Sequence, residues 1–256
     1  MSGAKIIAVS NQKGGVGKTT TSVNLGASLA AAGIRVLLID FDPQGNATSA
    51  VGRDPYDTPH IYHLLAGQAT PEQVLFELEP GFMMISSGPD LAGFDVELVQ
   101  APDRAFVLKE GLKPLLGLFD FILIDCPPSL GLLTINALSA AETVLIPVQA
   151  EYFALEGLTR LLNTVDLVRE STNPRLKIEG LLLTMTSHTN LSSQVAAELR
   201  GHFGGLVYDA EIPRNVRLSE APSHGKSVLA YDASSKGAES YVRLAEEFIR
   251  RNGRKP

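Results

Sequence analysis

One stretch near the start of the chain limits what it can fold into more than any other. Residues 5–20 read KIIAVSNQKGGVGKTT: a short apolar run, a glycine-rich turn, and the start of an alanine-rich segment of helix-forming composition. A buried parallel strand, a glycine loop and a helix in that order form the context of a phosphate-binding loop. Glycines let backbone N–H groups face phosphate oxygens, and the helix N-terminus adds partial positive charge. The stretch therefore predicts a nucleotide site.

Individual residues of this loop have predicted roles. Lys18 is expected to reach the β- and γ-phosphates, and the Thr19 hydroxyl is expected to bind Mg²⁺. The match to the pattern G-x-x-x-x-G-K-[ST] is incomplete, because Gln12 stands at the first glycine position and an extra lysine, Lys13, precedes Gly14. The predicted ATP-binding residues of the loop are Lys13, Gly14, Gly15, Val16, Gly17, Lys18, Thr19 and Thr20.

The variant KGGVGKTT resembles the loop of the deviant-Walker ATPases, and together with the segment DPQGN at residues 42–46 it resembles the ParA/Soj partition ATPases. The resemblance covers nearly the whole chain. It implies one P-loop NTPase domain over residues 1–256, with ATP and Mg²⁺ as cofactors and a face-to-face homodimer that forms with ATP. In that dimer Lys13 would cross to the phosphates of the other subunit, and hydrolysis would dissolve the dimer.

Composition is consistent with this size of domain. The chain has 256 residues, of which 45% are hydrophobic, and this is ample for a single core. Its one cysteine, Cys126, cannot form an intrachain disulfide or a multi-cysteine metal site. No signal-peptide pattern or run of 18 apolar residues occurs, so we expect a cytoplasmic protein without stable membrane association.

Two apolar runs end in aspartates. Residues 34–40 end in Asp40, and residues 119–124 are followed by Asp125. Ligands of α/β sheets bind at the carboxyl ends of the strands, and an apolar strand closed by aspartate is the Walker B pattern that holds the hydration shell of Mg²⁺. The predicted metal site therefore consists of Thr19, Asp40 and Asp125.

Asp42 follows the first of these strands by two residues. The resemblance implies that Asp42 orients the attacking water, which makes Lys13, Lys18 and Asp42 the predicted catalytic residues. The alternative is that Asp40 and Asp42 only cap a turn before Pro43.

Apolar strands alternate with helical segments along the chain, which predicts an α/β fold with a mostly parallel, twisted sheet and helices on both faces. Further strands are expected at residues 143–148 and 178–185. A terminal helix at 238–251 would bury Tyr241, Leu244, Ala245 and Phe248. Prolines break residues 53–103 into short pieces. We expect a surface elaboration of short helices there, with one possible strand at 82–86.

The resemblance adds further ATP-binding candidates outside the loop. Glu151 matches an acidic residue that lies near the nucleotide across the dimer interface, although an acid at a helix start needs no other role. Met185 falls in a stretch expected to border the adenine. The segment IPRN at residues 212–215 matches the part of the family that packs beside the adenine, which adds Pro213, Arg214 and Asn215.

Charge is distributed unevenly. The net charge is −6, but residues 214–256 carry nine basic and five acidic residues, a balance of +4, while the rest carries 13 basic and 23 acidic residues, a balance of −10. A basic segment on an acidic body is a candidate polyanion surface, although many basic tails are only solvated. By resemblance Arg217 and Lys236 are the predicted DNA-binding residues.

No helix-turn-helix or finger signature accompanies the basic segment, so binding to double-stranded DNA is expected to be non-specific. The resemblance also implies a ParB-type centromere-binding protein that stimulates hydrolysis, and a nucleoid-associated location. Three alternatives remain: a membrane-associated division-site ATPase of the same superfamily, a nucleotide-dependent scaffold with negligible hydrolysis, and a cluster-carrying relative such as the nitrogenase iron protein. The last would need two cysteines per subunit.

Overall fold

The computed structural model describes residues 3–97, 103–151, 154–187 and 189–253. Its strands are β1 Lys5–Val9, β2 Val36–Asp40, β3 Leu75–Glu79, β4 Phe82–Ile85, β5 Phe121–Asp125, β6 Thr143–Gln149, β7 Lys177–Thr186 and β8 Ile212–Pro213. Its helices are α1 Lys18–Ala31, α2 Asn46–Ala50, α3 Ile61–Leu65, α4 Pro71–Val74, α5 Leu91–Glu97, α6 Val107–Leu112, α7 Leu132–Ala140, α8 Ala154–Ser171, α9 Asn190–Phe203, α10 Val216–Glu220, α11 Val228–Tyr231 and α12 Lys236–Arg251.

The strands form one sheet in the order β3-β4-β2-β5-β1-β6-β7-β8. All neighbours pair in parallel except β3 and β4, which are antiparallel at the edge. The predicted α/β fold with a mostly parallel sheet is confirmed. Because β1 lies in the middle, the loop that leaves it stands at the centre of the edge where the parallel strands end.

Two hydrophobic cores cover the two faces of the sheet. Along β1, Ile6 and Ala8 belong to one core, and Ile7 and Val9 to the other. This alternation explains why the strand is apolar from Ile6 to Val9, since side chains of successive residues point to opposite faces and both faces are buried. Helix α1 lies on the same face as α12.

Helix α12 buries the face that its sequence pattern predicts. Tyr241, Leu244, Ala245 and Phe248 are all buried, and the ring of Phe248 contacts that of Phe121 edge-on at 5.0 Å between centroids. The hydroxyl groups of Tyr241 and Thr21 lie 3.2 Å apart in the interior, which joins α12 to the first turns of α1.

The region 53–103 is more than the surface elaboration predicted for it. The possible strand at 82–86 is confirmed as β4, but β4 pairs with β2 inside the sheet and β3 extends the edge. The ring of Phe82 fits against Gly26 of α1, where a Cβ would lie 2.5 Å from it. The expectation of a purely surface segment was wrong because prolines between short elements hid two strands of the sheet.

Candidate nucleotide site

The loop between β1 and α1 forms an open cradle at the strand ends. Gly15 and Gly17 have φ angles of +73° and +88°, a region that residues with a Cβ rarely adopt. A Cβ at Gly14 or Gly15 would meet nothing within 4 Å, so one side of the loop is free to receive a ligand. The first residue of α1 is Lys18, as the motif requires.

Lys18 is 7% exposed and its ammonium group turns back onto the loop. Its Nζ donates a hydrogen bond to the carbonyl oxygen of Lys13 at 3.3 Å. Burial lowers the pKa of Lys18 below its ordinary value, and the negative charge of Asp125 opposes that shift. A buried cation held inside the glycine loop is placed to meet a phosphate group.

Asp125 is fully buried at the end of β5 and each of its oxygens accepts a hydroxyl from α1. Thr19 Oγ1 donates to Oδ2 at 2.7 Å and Ser22 Oγ donates to Oδ1 at 2.9 Å. Burial, followed by the charge of Asp40, raises the pKa of Asp125 to about 7. The Thr19 hydroxyl and this carboxylate supply the oxygen ligands that Mg²⁺ prefers, so the donor set fits the ion.

Ser22 was missed by sequence reasoning. It lies three residues after Thr19, which puts both hydroxyls on one face of α1. That spacing is visible in the sequence, but nothing marks Ser22 out from the neighbouring threonines.

Asp40 lies beside Asp125 in the sheet but serves the loop that follows it. Its Oδ2 accepts hydrogen bonds from the backbone N–H and the hydroxyl of Thr48, both at 2.8 Å, and its Oδ1 accepts from the N–H of Asp42. Burial raises the pKa of Asp40 to about 6. Its predicted role beside the metal stays a prediction.

Asp42 faces the same cleft as the phosphate-binding loop. A cavity of about 290 Å³ is lined by the loop, Thr19, Asp42, Asn46, Pro128 and Met185. Asp42 is 6% exposed, and its Oδ1 accepts a hydrogen bond from the N–H of Gln44 at 3.0 Å. The catalytic role predicted for Asp42 stays a prediction.

The Glu151 carboxylate forms ion pairs with two cationic side chains at the edge of the site. Its Oε2 lies 3.0 Å from Nζ of Lys13, and its Oε1 lies 3.4 Å from the guanidinium of Arg214. Gln149 also donates to Oε1, at 2.5 Å. The Lys13 ammonium is thus paired with an acidic side chain of its own chain.

A second cleft of about 390 Å³ adjoins the loop at Gly17 and Thr20. Met185 on its wall has a φ of +52°, which is uncommon for a residue other than glycine, and the neighbouring Thr184 hydroxyl donates to the carbonyl of Val16. The structure brings together here all four residues predicted to border the adenine, Met185, Pro213, Arg214 and Asn215. Its lining also includes Val216, Leu218, Ser219 and Tyr241, which sequence reasoning did not assign to the site.

The two predicted DNA-binding residues lie near this cleft on exposed elements. Arg217 on α10 forms ion pairs with Glu220 at 2.7 Å and Asp232 at 3.2 Å. Lys236 is exposed at the first position of α12. The end of the basic segment, residues 254–256, lies outside the described residues.

Within the described ranges, no helix is both long enough and apolar enough to cross a membrane.

Relatives match this chain over nearly its whole length. A family model described as an AAA domain matches residues 4–178. The sporulation initiation inhibitor protein Soj of Bacillus subtilis is 54% identical over 246 residues, which cover 95% of this chain and 97% of Soj. The chromosome partitioning protein ParA of Myxococcus xanthus is 52% identical over 251 residues, covering 97% and 89%.

A solved structure shares both fold and ligand class. Cobyrinic acid a,c-diamide synthase from Mycobacterium smegmatis, with a bound ATP analogue and magnesium, is 38% identical. It superposes with a TM-score of 0.85, and the match covers 98% of each chain.

Proposed function

The chain belongs to the ParA/Soj family of the MinD/ParA superfamily, and from that premise we propose that it is an ATP-driven switch for chromosome or plasmid partitioning. ATP with Mg²⁺ would bring two copies together, the pair would bind double-stranded DNA without sequence preference, and hydrolysis would release it. The observation that carries the proposal is the arrangement at the strand ends, where Lys18, Thr19 and Asp42 line the cleft of the loop. The Thr19 hydroxyl also donates to the buried carboxylate of Asp125.

Binding follows from the placement of these groups. The backbone N–H groups of Gly14 and Gly15, where the loop is open, and the buried ammonium of Lys18 would hold the phosphates. The second cleft would take the adenine between Met185 and Pro213. Thr19 and Asp125 would hold Mg²⁺, whose charge would screen the phosphate oxygens.

Hydrolysis would depend on Asp42. Its carboxylate would orient a water molecule for attack on the γ-phosphorus, and the bond to the β-phosphate oxygen would break to leave ADP and phosphate. Thr48, which follows Asp42 in the chain, donates two hydrogen bonds to Asp40. A movement of Asp42 when the γ-phosphate leaves would therefore also displace the residues that follow it.

Lys13 would act between subunits. Placing Lys13 and Lys18 on one nucleotide would crowd like charges, whereas Lys13 reaching across a dimer would not. In the single chain the Lys13 ammonium is occupied by Glu151, so dimer formation would exchange this ion pair for a phosphate contact.

DNA would bind on the surface around Arg217 and Lys236. Two copies in a dimer would present two such surfaces, and affinity for a polyanion grows steeply with the number of phosphates neutralised. A ParB-type protein would stimulate hydrolysis. Both relatives named above, one a chromosome partitioning protein, are more identical to this chain than is the synthase, and this favours partitioning over an amide-forming activity.

The test compares DNA binding with ATP, with ADP and without nucleotide, in the presence of Mg²⁺. Binding should require ATP, and Lys18→Ala should abolish both ATP binding and DNA binding. Asp42→Ala should bind ATP and DNA but release phosphate slowly. Equal DNA affinity in all three nucleotide states would contradict the switch.

The same preparations test the two other functions that the sequence allows. Co-sedimentation with liposomes in ATP, without DNA binding, would indicate a membrane-associated division-site ATPase. ATP-dependent DNA binding without phosphate release, even with a centromere-binding protein added, would indicate a scaffold.

A further inference from the structure

The loop after Asp42 touches the basic C-terminal segment through a contact between two glycines. Helix α2 begins beside the phosphate cleft, where Asn46 and Asp42 share the wall, and Gly52 follows its last turn. A Cβ on Gly52 would lie 3.2 Å from the Cα of Gly225, and a Cβ on Gly225 would lie 2.8 Å from the Cα of Gly52. The two backbones therefore pack directly on each other, with no side chain between them.

On the cleft side, α2 is fastened to residues of the nucleotide site. The N–H and hydroxyl of Thr48 both donate to the carboxylate of Asp40, and the N–H of Gly45 donates to the carbonyl of Asp42. A five-residue helix is about 7.5 Å long, so it is a short, stiff link from the cleft to Gly52. A displacement of the Asp42 loop would move Gly52 with it.

On the other side of the contact, Gly225 lies in a segment whose residues are joined by ion pairs and hydrogen bonds. It ends the 3-10 turn that follows α10, the helix of Arg217. Arg217 is paired with Asp232, and Glu220 accepts a hydrogen bond from the hydroxyl of Tyr231 at 3.3 Å. These contacts close the segment 216–232 on itself, so a shift at Gly225 would reach Arg217.

The far end of the segment is connected to Lys236 as well. A Cβ on Gly237 would lie 2.9 Å from the side chain of Leu218 and 3.1 Å from the side-chain oxygen of Asn215. The start of α12 therefore packs against α10, and the two predicted DNA-binding residues sit on one connected surface.

We propose that the contact between Gly52 and Gly225 couples the phosphate cleft to the Arg217–Lys236 surface within a single chain. This proposal rests on the proposed function and adds to it a route that does not pass through the dimer interface. Two packed backbones cannot move closer, so displacement of one toward the other must displace both, and packed contacts of this kind switch between discrete arrangements. By linkage, DNA must raise the affinity for ATP by the same factor as ATP raises the affinity for DNA.

The experiment measures how much more tightly the full chain carrying Gly225→Ala binds DNA in ATP than in ADP. The added methyl would force the backbones apart. Its matched control is Gly67→Ala, because Gly67 has a similar φ of +70° but a Cβ there would meet nothing within 4 Å. DNA affinity is measured on a random-sequence duplex with MgATP and with MgADP, and the ratio of the two affinities is the readout.

The proposal predicts that Gly225→Ala lowers this ratio at least about threefold while ATP-dependent dimerisation is kept, and that Gly67→Ala leaves it unchanged. A ratio equal to that of the unaltered chain, or an equal loss in the control, would overturn the coupling. If the unaltered chain shows no difference between ATP and ADP, the proposed DNA switch itself is wrong.

A second measurement needs neither DNA nor a substitution. Amide hydrogen exchange of residues 221–228 is followed in the unaltered chain after addition of a slowly hydrolysed ATP analogue, at a protein concentration where the chain is a monomer. The exchange is compared with that in ADP, which carries the same adenine but lacks the γ-phosphate. Slower exchange with the analogue than with ADP supports the intrachain route, and equal exchange overturns it. This result decides the question even where Gly225→Ala does not fold.

Discussion

Asp40 and Asp125 end neighbouring parallel strands in the same register, yet their carboxylates have different tasks. Asp125 accepts the hydroxyls of Thr19 and Ser22 on α1, whereas Asp40 accepts from Asp42 and Thr48 in the following loop. One carboxylate thus faces the phosphate-binding helix and the other secures the loop that would sense hydrolysis. The two are close enough for the charge of Asp40 to raise the pKa of Asp125.

This pair predicts an unusual pH dependence of the nucleotide-free protein. The pKa values of about 6 for Asp40 and about 7 for Asp125 lie above the ordinary value of about 3.9 in an unfolded chain. A carboxyl with a raised pKa binds its proton more tightly in the folded state, so its contribution to stability is full below about pH 4 and is lost as the pH rises through the folded pKa. The pair should therefore lower stability between about pH 5 and pH 8.

Asp125→Asn should remove most of that dependence. We expect the variant, without nucleotide or Mg²⁺, to be more stable than the unaltered chain at about pH 8 by on the order of 2 kcal/mol, with little difference at about pH 5. Thermal unfolding at both pH values in a chelator measures this. Other titrating groups such as His60, whose pKa is lowered by burial, contribute to both proteins and cancel in the difference. A constant difference across the range would contradict the raised pKa.

Ser22 should act through Asp125. Removing its hydroxyl leaves one carboxylate oxygen of Asp125 without its donor, so the carboxylate loses a constraint on its orientation. We expect Ser22→Ala to raise the Mg²⁺ concentration needed for half-maximal hydrolysis by about threefold to tenfold, and to leave metal-free ATP binding unchanged.

Ser22→Thr retains the hydroxyl and should restore the magnesium requirement. The control separates orientation of Asp125 from a general effect on α1. A loss of ATP binding that does not respond to added Mg²⁺ would show that Ser22 matters only for the fold of the helix.

Much of this site could be predicted from the sequence, because its residues are close together in the chain or stand at recognisable strand ends. Lys18 and Thr19 follow a glycine loop, and Asp125 closes an apolar strand. The roles of Asp40 and Ser22 could not be predicted, since they depend on which of several nearby donors turns toward which carboxylate.

The fold, like the site, could be predicted only in part from the sequence. The alternating burial of β1 is visible as an unbroken apolar run, but the place of β4 in the sheet depends on contacts between distant segments. The ring of Phe82 packs on Gly26, which lies 56 residues away along the chain. Nothing in the local sequence around either residue predicts that contact.

Lys13 and Glu151 should have opposite effects on dimerisation. Lys13→Ala removes the side chain proposed to cross the dimer interface, so ATP should still bind while the ATP dimer is lost. Glu151→Gln removes the negative charge that pairs with Lys13 in the same chain. The lost ion pair is half-exposed and contributes little to stability. We expect Glu151→Gln to strengthen the dimer, by about twofold to tenfold in dissociation constant.

Analytical ultracentrifugation with a slowly hydrolysed ATP analogue measures both variants. The double variant should behave like Lys13→Ala, because Glu151 acts on the dimer through Lys13. A dimer of normal strength in Lys13→Ala would contradict the crossing role, and weaker dimerisation in Glu151→Gln would show that Glu151 supports the interface directly.

Arg217 and Lys236 should set the salt dependence of DNA binding. If a dimer neutralises about four phosphates, the logarithm of the affinity should fall with the logarithm of the salt concentration with a slope of roughly −3 to −4. Removing Arg217 from both subunits should reduce the slope by about two, with dimerisation intact and the same loss on DNA of any sequence.

The ion pairs of Arg217 add a sharper form of this prediction. Glu220 and Asp232 already neutralise the guanidinium, so DNA phosphates must compete with them. Glu220→Gln should therefore raise DNA affinity in ATP by about twofold to fivefold, since an exposed pair is worth only up to about 1 kcal/mol. Arg243→Ala, which removes an exposed arginine of α12 whose nearest carboxylate oxygen on Glu239 is 3.8 Å away, is the control and should leave the slope unchanged. Normal DNA binding by the double variant Arg217→Ala, Lys236→Ala would place the DNA surface elsewhere on the dimer.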